Sequence, residues 1–155
     1  MARPIPEGFR TLTPHLVVRD AAQAIEFYQK AFGAVVGRVA RDAPNGGITH
    51  AELRIRDSML MLCDEFPDWG VLSPQALGGS SCTIHMYIED VEAAWNRAVA
   101  AGCQVVMPLA DQFWGDRYGI VVDPFGHKWS LATHIADPSP KELEKAGKEA
   151  FAEIA

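Results

Sequence analysis

The segment TPHLVVRDAAQAIEFYQKAFGA at residues 13–34 returns, rewritten, as TIHMYIEDVEAAWNRAVAAGC at residues 83–103. Thr13 and Thr83, His15 and His85, and Asp20 and Asp90 all pair at one offset of 70 residues, so the chain carries two copies of one strand-then-helix unit. A repeated unit of this kind is a supersecondary module that buries its apolar face against its neighbour.

Each copy opens with a short apolar run, LVV at 16–18 and MYI at 86–88. Each run breaks at an Asp whose carboxylate is suited to accept the unpaired N–H groups of a helix's first turn. Asp20 with Gln23 reads as a capping box. Ala21, Ala24, Ile25, Tyr28 and Phe32 fall at helical spacing in the first copy, as do Val91, Ala94, Trp95, Ala98 and Val99 in the second. Gly33 and Gly102 end these helices. Strand patterns follow: VVGRVA (35–40), THAELRI (49–55) and SMLML (58–62), then QVVMPL (104–109), YGIVV (118–122) and HKWSLAT (127–133). Each module is therefore β-α-β-β-β. The predicted fold is α+β: a first module over 11–65, a connector over 66–81 and a second module over 82–135, with each helix on the outer face of its own sheet. Residues 1–155 are expected to form a single domain.

The tail is expected to be a C-terminal helix over 139–155, with Ser139, Pro140 and Glu142 as its start signature. Its stripe of Leu143, Ala146, Ala150, Phe151 and Ile154 needs a surface, either the modules or a second subunit. Open sheet edges add to that need, so a homodimer is expected.

A formal charge of −6, with 14 scattered Lys and Arg, argues against a nucleic-acid partner. No apolar run approaches the roughly 20 residues that span a bilayer, and MARPIPEGF lacks an apolar signal core, so no membrane partner and a cytoplasmic location are expected. Cys63, Cys82 and Cys103 have no close Cys-x-x-Cys spacing and read as reduced core thiols. There is no phosphate loop and no Gly-x-Ser-x-Gly elbow.

The doubled module, with x-x-V-x-D-x-x-x-A-I-x-F-Y at 16–28 and DPFGH-x-W-x-L at 123–131, resembles the vicinal-oxygen-chelate superfamily. That group includes glyoxalases, bleomycin-resistance binding proteins, fosfomycin-modifying enzymes and extradiol dioxygenases. The resemblance covers about residues 10–135. It implies that the sheets curl into half-barrels whose concave faces enclose a ligand, and that a divalent metal sits on His or Glu of the first and last strand of each module. Counted from the strand-to-helix Asp and the DPFG turn, those positions fall on Thr13, Met61, Thr83 and Ser130. None suits a metal that needs about three His, Cys, Asp or Glu ligands, which implies a branch without the usual centre and no cofactor. His15 and His85, two residues further along the same faces, would with Glu52 make a two-His, one-carboxylate alternative for a divalent metal at an unusual site.

Strand alternation assigns the faces. Ala51, Leu53 and Ile55 should face the helix, leaving His50, Glu52 and Arg54 on the other side. Thr13 with His15, Thr83 with His85, Met59 with Met61 and Cys63, and Lys128 with Ser130 and Ala132 each share a face. Phe113, Trp114 and Tyr118 around Gly115, with Arg117 nearby, form either a grip for a planar or anionic ligand or a packed interface. The long connector, with Phe66 and Trp69, suits crossing to a partner or closing over a cavity. His127 is expected to be exposed, and His134 is given no role.

The leading expectation is a protein of the drug-sequestering kind that binds a small organic molecule between its modules through Met61, Trp114, Tyr118, His15, His85 and Glu52. Thr13, His50, Thr83, Arg117 and Ser130 complete its ligand-binding set. The alternative is an isomerase or lyase in which Glu52, His15 or His85 moves a proton.

Overall fold

A computed structural model describes residues 2–152, so Ile154 of the predicted stripe lies outside the described residues. The first module runs β1 (His15–Val18), α1 (Ala21–Phe32), β2 (Val35–Ala40), β3 (His50–Ile55) and β4 (Ser58–Asp64). A 3-10 turn, Pro67–Trp69, and a short helix, α2 (Pro74–Leu77), form the connector. The second module is β5 (Thr83–Tyr87), α3 (Val91–Ala101), β6 (Gln104–Asp111), β7 (Asp116–Val122) and β8 (Lys128–His134), and α4 (Pro140–Ala152) follows.

Local chemistry sets the helix ends. Asp20 Oδ1 accepts from the Gln23 N–H and Asp90 Oδ1 from the Ala93 N–H, each at 3.0 Å. Gly33 turns left-handed, with φ 68°, to end α1. In α4, Ser139 N–H and Oγ donate to Glu142 Oε2 at 2.8 and 2.6 Å, while Ser139 Oγ accepts from the Glu142 N–H.

The strands form two open, four-stranded mixed sheets, ordered β1-β4-β3-β2 and β5-β8-β7-β6. Within them β1 is parallel to β4 and β5 to β8, and the other neighbours are antiparallel. β5 starts at Thr83, ahead of the apolar MYI run, because backbone pairing with Lys128–Ala132 of β8 defines the strand.

Alternation then fills the core. Ala51, Leu53 and Ile55 are buried, as are Leu60 and Leu62 of β4 and Trp129 and Leu131 of β8. A single apolar cluster passes from the first sheet through α1 to the second. Phe32 and Tyr28 of α1 lie 4.6 and 5.5 Å from the Trp129 ring. Arg97 of α3 donates to the Lys30 and Gln29 carbonyl oxygens at 2.6 and 3.0 Å, placing a cation at the C-terminal end of α1, where the helix dipole favours it. Trp95 packs on Gly119 so closely that a Cβ there would lie 2.6 Å from the indole. Val99, expected on the buried face of α3, sits at its margin and stays exposed.

The connector is a packed strut. Ser73 is fully buried and its hydroxyl donates to Glu65 Oε2. Gln75 Nε2 donates to the Pro124 carbonyl at 3.2 Å, and Pro74 lies against Gly126. The connector thus rests on the β7–β8 turn. Leu143, Ala146 and Gly147 of α4 are half-buried, with Gly147 beside the Phe113 ring, while Ala150 and Phe151 are exposed.

Candidate functional site

On the face of the first sheet away from α1, strand register sets His15 opposite Met61 and Met61 opposite Glu52, a row across β1, β4 and β3. His50, two residues before Glu52, approaches it with Nε2 3.2 Å from Oε1. Burial, and then the charge of His50, holds His15 below the ordinary histidine range, so its ring is neutral at neutral pH.

The second sheet repeats the row with different chemistry. His85 stands opposite Ser130, and its Nδ1 lies 2.7 Å from Ser130 Oγ. Its ring meets Tyr87 edge-on at 4.5 Å and stacks with Tyr118 at 5.9 Å, and Trp114 meets Tyr118 edge-on at 5.4 Å. Beneath these rings is Asp116, which accepts from the Tyr87 hydroxyl and the Trp114 indole N–H, each at 3.0 Å. Sequence reasoning missed Asp116 and Tyr87, although alternation along β7 with Tyr118 was the available signal.

His134, given no role from sequence, bridges Asp116 at 2.8 Å through Nδ1 and Asp137 at 2.9 Å through Nε2. Burial pushes the Asp116 carboxyl up, but hydrogen bonds from His134, Tyr87 and Trp114 outweigh it and leave it below its usual value. Hydrogen bonds to Asp137 and then Asp116 raise His134 above the ordinary histidine value. A raised folded-state pKa gives stability that is complete below the unfolded value of about 6.5 and is lost as pH rises through the folded one. The Tm difference between wild type and His134→Asn is therefore expected to be largest below about pH 6.5 and to shrink as pH rises above it. A pH-independent difference would assign His134 a packing role only.

Several expected placements change. Counting along the chain set Thr13 and Thr83 as first-strand positions; Thr83 is the first residue of β5, and the register sets His15 opposite Met61 and His85 opposite Ser130. Thr83 pairs with Lys128, and Thr13 precedes β1, its hydroxyl 3.4 Å from the Arg10 carbonyl. Arg117 does not join Trp114 and Tyr118: it points to the other side of β7 and pairs with Asp111 of β6 and Glu92 of α3. Phe113 turns toward Phe151 of α4. His127 is half-buried, its Nε2 2.9 Å from the Val17 carbonyl oxygen of the first module.

Met61 and Ser130 occupy the counted last-strand positions, and among the described residues no group of three or more His, Cys, Asp or Glu is placed to hold a metal ion. His15, His85 and Glu52 are thus not gathered into the alternative set. The buried thiols are inert as well: burial, then Asp123, pushes Cys103 up to about 12, and burial, then Asp64, raises Cys63.

Between the modules lies a cavity of about 380 Å³, bounded by residues 10–14 and the β3–β4 turn on one side and by β5 on the other. Thr13 and His85 line it, joined by Met59 and Tyr87. His15, His50, Glu52, Met61, Thr83, Trp114, Tyr118 and Ser130 lie outside its lining.

The chain is 49% identical over 139 residues to an uncharacterized protein of Mycobacterium bovis, a match covering 87% of this chain and 90% of that protein. Among solved structures it is similar to TioX from Micromonospora sp. ML1, with 28% identity, a TM-score of 0.63, and coverage of 81% of this chain and 99% of that one. A gene product of Arabidopsis thaliana is similar at 30% identity with a TM-score of 0.63, covering 80% of this chain and 98% of the other. The duplicated β-α-β-β-β fold and the match over residues 10–131 agree: the chain belongs to the Glyoxalase/Bleomycin resistance protein/Dioxygenase superfamily.

Proposed function

We propose that this protein binds a small organic molecule in the cavity between its modules, without the metal centre common in its superfamily. The observation that carries this reading is the cavity itself, whose walls come from both modules and whose volume of about 380 Å³ falls in the range of small-molecule sites. The lining mixes apolar side chains such as Ile84 and Met86 with polar groups, Thr13 and His85 among them, and such a site uses the first for burial and the second for orientation. Two chains form the working unit in this reading, because Val35 and Val39 of edge strand β2, Val105 and Val106 of edge strand β6, and Phe151 of α4 are all exposed.

Native mass spectrometry of protein purified without added metal or a chelating tag tests the reading. The expected spectrum is a homodimer that carries well under one equivalent of zinc, nickel, iron or manganese and retains an organic adduct or takes one up. Stoichiometric metal, lost together with stability in a His15→Ala, His85→Ala double variant, would overturn it.

A second reading, an isomerase or lyase, draws on the first sheet, where a neutral His15 and the His50–Glu52 pair provide proton acceptors and donors on one face. Turnover abolished by Glu52→Gln with ligand binding in the cavity unchanged would favour it.

A further inference from the structure

The cavity has a structural origin in a difference between the two repeats. In the second module the β7–β8 connection runs from Asp123 to His127, between the paired residues Val122 and Lys128. It is long enough for Phe125 to enter the core and for His127 to reach the Val17 carbonyl on β1. The corresponding β3–β4 turn is only Arg56 and Asp57, between the paired residues Ile55 and Ser58. The repeat offset carries Val17 of β1 onto Tyr87 of β5, and Tyr87 lines the cavity. The space that the longer turn fills against β1 is left open by the shorter turn against β5.

Two guanidinium groups border this space, Arg56 from the short turn and Arg10 from the preceding segment. Neither makes an ion pair with a carboxylate among the described residues. Asp57, the acidic group in the lining, accepts from the Ser58 hydroxyl at 2.9 Å. Arg56 also adopts a left-handed backbone, with φ 54°, at a turn position where Gly, Asn or Asp is easier. Behind the arginines the wall is apolar, formed by Leu60, Ile84, Met86 and Trp129.

We infer that the cavity selects an amphipathic organic anion, with an aromatic or alicyclic body against Ile84, Met86 and Trp129 and an acid group on Arg10 and Arg56. This inference rests on the proposal that the cavity binds a small molecule, and it adds the chemical class. A guanidinium fork matches a carboxylate, sulfonate or phosphate through charge-assisted hydrogen bonds.

The test compares 1-anilinonaphthalene-8-sulfonate with its uncharged counterpart N-phenyl-1-naphthylamine, by fluorescence titration and by NMR of the Met59 and Met86 methyl groups. The sulfonate is expected to bind about tenfold more tightly than the neutral probe and to shift both methyl signals. Arg10→Gln with Arg56→Gln should weaken the sulfonate by about tenfold or more and leave the neutral probe unchanged. Arg56→Gly, which relaxes the left-handed backbone, should weaken the sulfonate as Arg56→Gln does, separating the guanidinium from the turn. Equal affinities, or a sulfonate affinity indifferent to both arginines, would overturn the anion inference and leave the cavity reading standing. If neither probe binds, or binding leaves both methyl signals unmoved, the cavity reading falls with it.

Discussion

Asp123→Ala is expected to lower the free energy of unfolding by about 3–5 kcal/mol, read from urea denaturation at neutral pH. Asp123 is buried and accepts four hydrogen bonds: Oδ2 from the Tyr28 hydroxyl at 2.7 Å and the Trp129 indole N–H at 2.8 Å, and Oδ1 from the Phe125 and His127 N–H groups at 2.9 and 3.0 Å. All four partners donate, and the two carboxyl oxygens accept two bonds each. Burial, reinforced by Asp123, holds the Tyr28 phenol well above its usual range, so it remains a donor throughout the working pH range. Alanine would strand the Tyr28 and Trp129 donors inside the aromatic cluster, at about 1–3 kcal/mol for each buried group left unpaired.

Because Tyr28 belongs to the first module and Asp123 to the second, this carboxylate ties the repeats together through their shared core. Tyr28→Phe removes one donor without stranding another and should cost about 1 kcal/mol. In the Asp123→Ala background the same change should cost nothing or restore stability, a non-additivity expected of groups in contact. Asp123→Asn should fall between wild type and alanine, since an amide offers one acceptor oxygen where the carboxylate offers two. A cost for Asp123→Ala below about 1 kcal/mol would show that this carboxylate contributes little to holding the modules together.

The features legible in the sequence were those governed by neighbours along the chain. Asp20 and Asp90 cap their helices, Gly33 ends one in the left-handed conformation, and Ala51, Leu53 and Ile55 bury, because capping and alternation operate over two to four residues. Pairing between distant strands obeys no such count. Thr13 and Thr83 come from a count along the chain, whereas the register that sets His15 opposite Met61 and His85 opposite Ser130 belongs to the parallel pairs β1–β4 and β5–β8, whose alignment is set across about 45 residues of intervening chain. Arg117 was grouped with Trp114 and Tyr118 by proximity in sequence, yet adjacent strand residues point to opposite faces, and that alternation sends it to Asp111 and Glu92. The burial of Asp116 and Asp123 was hidden for another reason: alternation can place Asp116 on a face, but a buried carboxylate resembles a surface one until donors such as Tyr87 and Tyr28 arrive from other elements. The cavity follows from the unequal turns Arg56–Asp57 and Asp123–His127, and their difference has meaning only once both hairpin registers are known.

Leu53→Ala is expected to cost about 2–5 kcal/mol, while Glu52→Gln, the adjacent residue, should change stability by no more than about 0.5 kcal/mol. Leu53 has no solvent exposure and sits in the core that α1 shares with both sheets, so truncation removes burial and leaves a cavity that rigid neighbours cannot fill. Glu52 lies on the opposite face, partly solvated, with its carboxylate paired to His50, and glutamine keeps its length and shape. Thermal and urea unfolding of the two variants therefore measure the register of β3 directly. The same register pairs Glu52 with Met61 and, through β4, with His15, so it fixes the whole polar row of the first sheet. A slip of one residue exchanges the faces of a strand completely. Were Glu52→Gln the destabilising change and Leu53→Ala the silent one, His50 and Glu52 would belong to the core, and the row from His15 to Glu52 would not exist as a surface on which proton transfer could occur.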